Sequence, residues 1–216
     1  LGGLSLGEVA SGNVILAFDK WFKEQFMAPG AEWTGESIRN SWEDIIYSMN
    51  QKIKEYGASQ GVEMGTTITA VLFLKDKYYA IHVGDSRLYE LSDGCRQITE
   101  DQTLIARELA QGIITKEQAL TDSRRNVLLQ CIGVTQKLLP AFYSGNINGE
   151  AAYLVCSDGF RHVITPDEIY QLCRPLQNLT QKVMQVNLTS LVERVKQRGE
   201  RDNISAVLIQ VGRETC

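Results

Sequence analysis

Three aspartates stand at the ends of apolar, strand-like runs, and that placement constrains the fold more than anything else in the chain. Asp85 closes Tyr78-Tyr79-Ala80-Ile81-His82-Val83-Gly84-Asp85, and Asp158 closes Ala152-Tyr153-Leu154-Val155-Cys156-Ser157-Asp158. Asp202 opens Asp202-Asn203-Ile204-Ser205-Ala206-Val207-Leu208-Ile209. A carboxylate at the rim of a buried sheet is costly unless it meets water, a donor or a cation. If antiparallel pairing brings these ends to one rim, the three would form an all-oxygen site for a hard divalent cation. Such a site suits metal-assisted chemistry at a phosphate. Each aspartate also has an ordinary reading. Asp158-Gly159 suits a hairpin turn, Asp85-Ser86 a turn or helix cap, and Asp202-Asn203 a polar loop end. Taken singly, the turn reading is the commoner one; only their company favours a site.

Composition narrows the class. The 216 residues suffice for one substantial domain, and 44% hydrophobic with 22% charged content fits a globular protein rather than a disordered one. The net charge is −4, and no basic stripe with interleaved aromatics appears, which argues against a nucleic-acid partner. No apolar run approaches the roughly 20 residues of a membrane span. The five cysteines, Cys95, Cys131, Cys156, Cys173 and Cys216, are odd in number and lack Cys-x-x-Cys spacing. Reduced, buried thiols in a cytoplasmic protein are therefore expected rather than a disulfide framework or zinc ribbon. Two histidines cannot build a histidine-rich metal centre. His82 reads as a packed or half-exposed strand residue rather than a ligand; His162, close behind Asp158, could sit near a site, but a polar surface role is the commoner reading.

Periodicity supplies the organisation. Val14, Phe18, Trp21, Phe22 and Phe26 mark a helix from about Glu8 to Met27, stopped by Pro29-Gly30. Ile38, Trp42, Ile45, Ile46, Met49, Ile53 and Tyr56 mark a second helix, whose stripe is read as core. From Thr66 the texture turns to strands: Thr66 to Leu74, Tyr78 to Val83, Arg87 to Leu91 and Arg96 to Ile98, with Ser92-Asp93-Gly94-Cys95 as a hairpin signal. A helical insert follows, in which Thr115 to Gln118 has capping-box spacing. Strand-like runs resume at Val127 to Ile132, Leu138 to Ser144 and Tyr153 to Ser157. Thr165-Pro166-Asp167-Glu168 starts one helix, Thr180 to Lys196 forms another, and Ile204 to Val211 is the last strand. Hairpin-like strand pairs with grouped helices predict an α+β fold of antiparallel sheets flanked by helices, not a doubly wound parallel sheet.

Several short strings, taken in order, resemble a known family. Met64-Gly65-Thr66-Thr67, Val83-Gly84-Asp85-Ser86-Arg87-x-Tyr89, Ser157-Asp158-Gly159-Phe160 and Asp202-Asn203-Ile204-Ser205 are similar to the motifs of the metal-dependent (protein phosphatase 2C) family. Two stretches resemble its bacterial branch: Gly7-Glu8-Val9-Ala10-Ser11 at the first helix, and Ile98 to Ala119, which looks like a flap. The resemblance spans Gly2-Gly3 to Val211. It implies a four-layer αββα sandwich of two antiparallel sheets in a single domain covering 1–216. It further implies a cytoplasmic signalling enzyme that hydrolyses phosphoserine and phosphothreonine, in phosphoproteins made by a serine/threonine kinase.

By the same resemblance, Asp158 and Asp202 would be ligands of two manganese or magnesium ions, Asp85 would help hold a third, and a metal-bound water would be the nucleophile. The segment at about 101–119, from Asp101 and including Gly112, would be the flap. The chain departs from the family at Leu4 and Gln102, where members often carry histidines. The family's metal-bridging Asp-Gly would precede Leu1, so the family's N-terminal strands are expected upstream of this sequence. Two other readings stand beside the phosphatase. One is a non-catalytic phosphatase-like module that recognises a partner; if the bridging aspartate is not supplied, that reading gains. The other, ranked far lower, takes Gly2-Gly3 and Gly7 as a nucleotide phosphate cradle, but no Lys-Ser/Thr follows the glycines.

Overall fold

The structure is a computed structural model that describes residues 6–147, 149–175 and 180–212. Its contacts divide the chain into two compact units. The first comprises Leu1–Leu72, Tyr79–Gly84 and Asp101–Ser144; the second comprises Phe73–Tyr78, Asp85–Glu100 and Gly145–Cys216.

In the first unit, helix α1 (Gly7–Trp21) runs into a π-helical turn (Phe22–Phe26), and α2 (Gly35–Ser59) follows. Thr34 caps α2 reciprocally: its Oγ1 accepts the Ser37 N–H at 3.1 Å, and the Ser37 Oγ accepts the Thr34 N–H at 2.9 Å. The predicted stripe is the packed face, with Ile38, Trp42, Ile46, Met49 and Ile53 buried. Burying each such side chain contributes on the order of 1.5–3 kcal/mol. Tyr56 departs from the expectation and is 48% exposed. Trp21 of α1 meets Trp42 of α2 edge-on with ring centroids 5.7 Å apart, and Trp33, just before α2, at 5.2 Å.

Strands β1 (Ile68–Leu74), β2 (Lys77–Val83) and β5 (Ala141–Asn146) form a sheet in the order β1-β2-β5, most of it in this unit. The run from Val127 to Ile132, expected as a strand, makes only the single bridges Thr103↔Leu128 and Thr66↔Ile132. Gly133, at φ 90°, turns the chain away there, and its N–H donates to the Asn50 Oδ1 at 2.6 Å. The expected insert is two short helices, α3 (Leu104–Ala110) and α4 (Lys116–Thr121), with Gly112 between them at φ 69°. Thr115 and Gln118 form the anticipated capping box.

The second unit holds a four-stranded antiparallel sheet, β4 (Cys95–Gln97), β3 (Arg87–Leu91), β6 (Ala151–Cys156) and β7 (Ala206–Val211), in that order. Five of the six residues of β6 are buried, as suits a strand covered on both faces. Helices α5 (Asp158–Arg161), α6 (Pro166–Cys173) and α7 (Gln181–Gln197) complete the unit. Its core joins Tyr89, Leu154, Phe160, Ile169, Leu191 and Val195. Helix α6 begins as the sequence predicts, with a Thr165/Glu168 capping box and Pro166 in its first turn. The fold is α+β, built on two antiparallel sheets.

Candidate functional site

Sheet register gathers the three aspartates. Arg87 pairs with Cys156, and Cys156 pairs with Ala206. The start of β3, the end of β6 and the start of β7 therefore share one rim. Asp85, Asp158 and Asp202 lie just beyond those residues in the chain, all in the second unit.

Past the ladder, Ser157 continues the pairing with both backbone and side chain. Its N–H donates to the Ser205 carbonyl at 2.9 Å, and its Oγ donates to the Asn203 carbonyl at 3.2 Å and accepts the Ser205 N–H at 3.1 Å. The loop bearing Asp202 is thus stitched to the segment bearing Asp158. Asp158 opens the helical turn α5, not the hairpin that Asp-Gly alone suggests. Gly159 is the contact point: a β-carbon there would lie 2.6 Å from the Asn203 carbonyl oxygen and 3.2 Å from the Asp202 β-carbon. Each carboxylate spends one oxygen on the next peptide. Asp158 Oδ1 accepts the Gly159 N–H at 2.8 Å, and Asp202 Oδ1 accepts the Asn203 N–H at 2.7 Å.

Asp85 is held differently. It is buried, and its carbonyl accepts from Arg161 Nη2 at 3.1 Å. Among the described residues no group of three or more His, Cys, Asp or Glu side chains is placed to hold a metal ion. The rim therefore carries all three aspartates, with Gly159, next to Asp158, packed against the Asp202 loop and the Asp85 carbonyl bonded to Arg161.

Two residues join the pair that sequence reasoning placed elsewhere or missed. His162, expected on the surface, has a side chain only 9% exposed, with Nδ1 3.1 Å from Glu200 Oε2 and Nε2 3.9 Å from Asp158 Oδ2. Glu200 Oε1 accepts the N–H groups of Arg201 and Asp202 at 2.8 and 2.9 Å. Burial alone would push the Glu200 carboxyl up, but the Asp202 and Arg201 N–H donors and His162 together hold it below its ordinary value. The only sequence signal was an acidic residue two positions before Asp202-Asn203.

Thiol chemistry has no support here. Cys95, Cys131, Cys156 and Cys173 form no disulfide, and burial pushes Cys156 and Cys173 up to about 12 and Cys95 up to about 11. Such thiols carry almost no thiolate near neutrality.

In the first unit, His82 is a strand residue, as expected, and of the two expected environments it takes the fully buried one. Its Nδ1 lies 2.9 Å from Thr69 Oγ1, and its Nε2 lies 2.9 Å from the Gly84 carbonyl. Gln102 serves the backbone: its Oε1 accepts the Gly84 N–H at 2.8 Å, and its own N–H donates to the Gly84 carbonyl at 2.8 Å. The peptide immediately before Asp85 is thereby tied to the root of the 101–119 segment. Gly2, Gly3, Leu4 and Cys216 lie outside the described residues.

The fold is that of solved bacterial serine/threonine phosphatases. The Streptococcus agalactiae enzyme superposes with a TM-score of 0.82 at 26% identity, over 99% of this chain and 84% of that one. The catalytic domain of PstP, solved with two manganese ions, gives a TM-score of 0.77 at 27% identity, over 97% of this chain and 83% of that one. In sequence, the chain is 29% identical to the serine/threonine phosphatase stp of Listeria innocua over 213 residues, 97% of this chain and 81% of that protein. No family model matches the chain. Sequence and fold agree: both are similar to those of the PPM, or protein phosphatase 2C-type, serine/threonine phosphatases.

The donor set fits a hard divalent cation. Asp158 and Asp202 carry carboxylate oxygens on two adjoining segments, one oxygen of each being fixed by a backbone N–H. Manganese and magnesium accept such partial carboxylate sets and fill the remaining positions with water or phosphate oxygens. No helix among the described residues is long and apolar enough to cross a membrane.

Proposed function

We propose that this chain is a metal-dependent protein phosphatase that hydrolyses phosphoserine and phosphothreonine, with Asp158 and Asp202 as ligands of manganese or magnesium. The observation that carries this reading is the apposition of those two residues at one sheet rim, with Gly159 packed against the Asp202 loop. When bound, the metals supply a lowered water pKa and charge stabilisation at the phosphoryl group. The chain's own part is to hold two carboxylates in fixed register. Ser157 locks the loops together, and the Gly159 and Asn203 N–H groups each fix one carboxylate oxygen.

Asp85 is assigned to a third, weaker ion, as the resemblance to the phosphatase family implies; it follows the strand end that shares the rim. The expected substrates are phosphoproteins made by serine/threonine kinases in the bacterial cytoplasm. This rests on the names of the relatives and on the net charge of −4, which argues against a nucleic-acid partner.

The test is substitution in the native protein. Asp158→Asn and Asp202→Asn are expected to lower manganese-dependent hydrolysis by orders of magnitude with the circular dichroism unchanged. Asp85→Ala is expected to keep the two-metal core and lose less turnover. Near-normal turnover in either asparagine variant after removal of excess metal overturns the assignment. Loss of both core metals in a folded Asp85→Ala protein would make Asp85 a primary ligand.

A further inference from the structure

We infer that Glu200 is a positioning residue that sets both candidate metal carboxylates at once, an inference that rests on the metal-binding reading of Asp158 and Asp202. Its two carboxylate oxygens serve different ligands. Oε1 accepts the N–H groups of Arg201 and Asp202 at 2.8 and 2.9 Å, fixing the peptide that carries one ligand. Oε2 accepts from His162 Nδ1 at 3.1 Å, and the far edge of that ring, Nε2, stands 3.9 Å from Asp158 Oδ2 beside the other.

The geometry favours positioning over bulk stability. The Glu200 and His162 side chains are 10% and 9% exposed, so little water is present to replace either partner of that pair. Arg201 and Asp202 are exposed, so their N–H groups find water if Glu200 is lost; what they lose is a fixed direction. Partners behind metal ligands hold the ligand's orientation, and their removal typically costs roughly 10–100-fold in metal affinity. A single side chain that holds the Asp202 loop and packs an imidazole beside Asp158 makes the two sites depend on one another.

The test measures manganese affinity of the native protein directly, by paramagnetic resonance of free Mn2+ or by calorimetry, alongside kcat, KM and the metal activation constant for p-nitrophenyl phosphate. Glu200→Ala is expected to weaken manganese binding about tenfold or more, with most of kcat recovered at saturating manganese. Glu200→Gln keeps an acceptor for the two backbone N–H groups but presents an amide or a neutral oxygen to His162. It is expected to fall between wild type and Glu200→Ala, and it carries the test if the alanine variant does not fold. His162→Gln is expected to weaken binding less than Glu200→Ala, since only one arm is cut.

Unchanged manganese affinity in folded Glu200→Ala or Glu200→Gln, with Asp158→Asn and Asp202→Asn strongly impaired, overturns the inference alone. Unchanged affinity in the aspartate variants instead overturns the reading beneath it. An equal fall in kcat at every manganese concentration, with affinity intact, also refutes positioning.

Discussion

Gly159 and Asp202 stand so close that a β-carbon on the glycine would lie 3.2 Å from the Asp202 β-carbon. It would also lie 2.6 Å from the Asn203 carbonyl oxygen, a distance that real β-carbons do not tolerate against backbone. The glycine is required by this approach. Gly159→Ala must therefore displace the loop that presents Asp202, at a cost of about 1–3 kcal/mol for overpacking. Activity is expected to fall at least about tenfold, together with weaker manganese binding, because a misplacement of about 1 Å can cost two orders of magnitude. Full activity in the variant, measured against phosphoprotein, would mean that the loop relaxes freely and that the two aspartates need not be held together.

Gln102 yields a prediction about stability rather than catalysis. Its side chain accepts the buried Gly84 N–H and donates to the Leu139 carbonyl at 3.2 Å. Gln102→Ala leaves that buried donor unsatisfied, which costs roughly 1–3 kcal/mol. A urea melt is expected to show that loss as a lower midpoint with an unchanged slope. A change below about 0.5 kcal/mol, the ordinary range of surface substitutions, would show that water replaces the bond.

The placement of Asp85, Asp158 and Asp202 at strand ends is legible in the sequence, but their meeting at one rim is not, because it depends on the order β3-β6-β7, which local texture does not encode. The helices are legible too, since apolar stripes mark α1 and α2 and Thr115 and Thr165 announce the starts of α4 and α6. Other features depend on contacts that no local pattern encodes. His162 and Glu200 are neighbours across 38 positions of sequence separation, so the histidine read as a surface residue and the glutamate went unnoticed. Asp-Gly at 158–159 matches a hairpin turn locally, yet the stitching of Ser157 to Asn203 and Ser205 leads the chain into a helical turn instead. The Val127 to Ile132 run has strand composition, but it lies against the chain only at single residues, with Asn50 holding the turn at Gly133.

Glu168 makes stability depend on acid. Arg198 donates to its carboxylate at 2.6 Å, the Thr165 N–H donates at 3.0 Å, and Arg194 donates at 3.1 Å. These partners, Arg198 foremost, hold the carboxyl well below the usual range. A depressed native pKa contributes stability that is present above the unfolded value of about 4.3 and lost as pH falls toward the native one. Glu168→Gln is therefore expected to lower Tm at neutral pH, with the gap to wild type narrowing below about pH 4. A gap that stays constant into strong acid would show that the arginines act on packing alone.

The segment at 101–119 is proposed to be a flap that governs substrate choice, and its own geometry shows how to test it. Arg124 forks onto Glu108 of α3 at 2.9 and 3.1 Å and also reaches Asp122, which follows α4, at 2.8 Å. Between the helices Gly112 turns at positive φ, while Ile113 and Leu120 are 64% and 77% exposed. Arg124→Ala removes the clamp and is expected to speed hydrogen exchange across α3 and α4, because exposed ion pairs hold short helices only weakly once the fork is lost. If the exposed apolar pair touches protein substrates, Ile113→Ser with Leu120→Ser should lower kcat/KM for a phosphoprotein several-fold. Hydrolysis of p-nitrophenyl phosphate, too small to reach both side chains, should change by less than about twofold, since loops on a rigid scaffold carry specificity rather than the chemistry. Equal losses on both substrates would mark the segment as a structural brace for the chain around Gly84, and the flap assignment would fall.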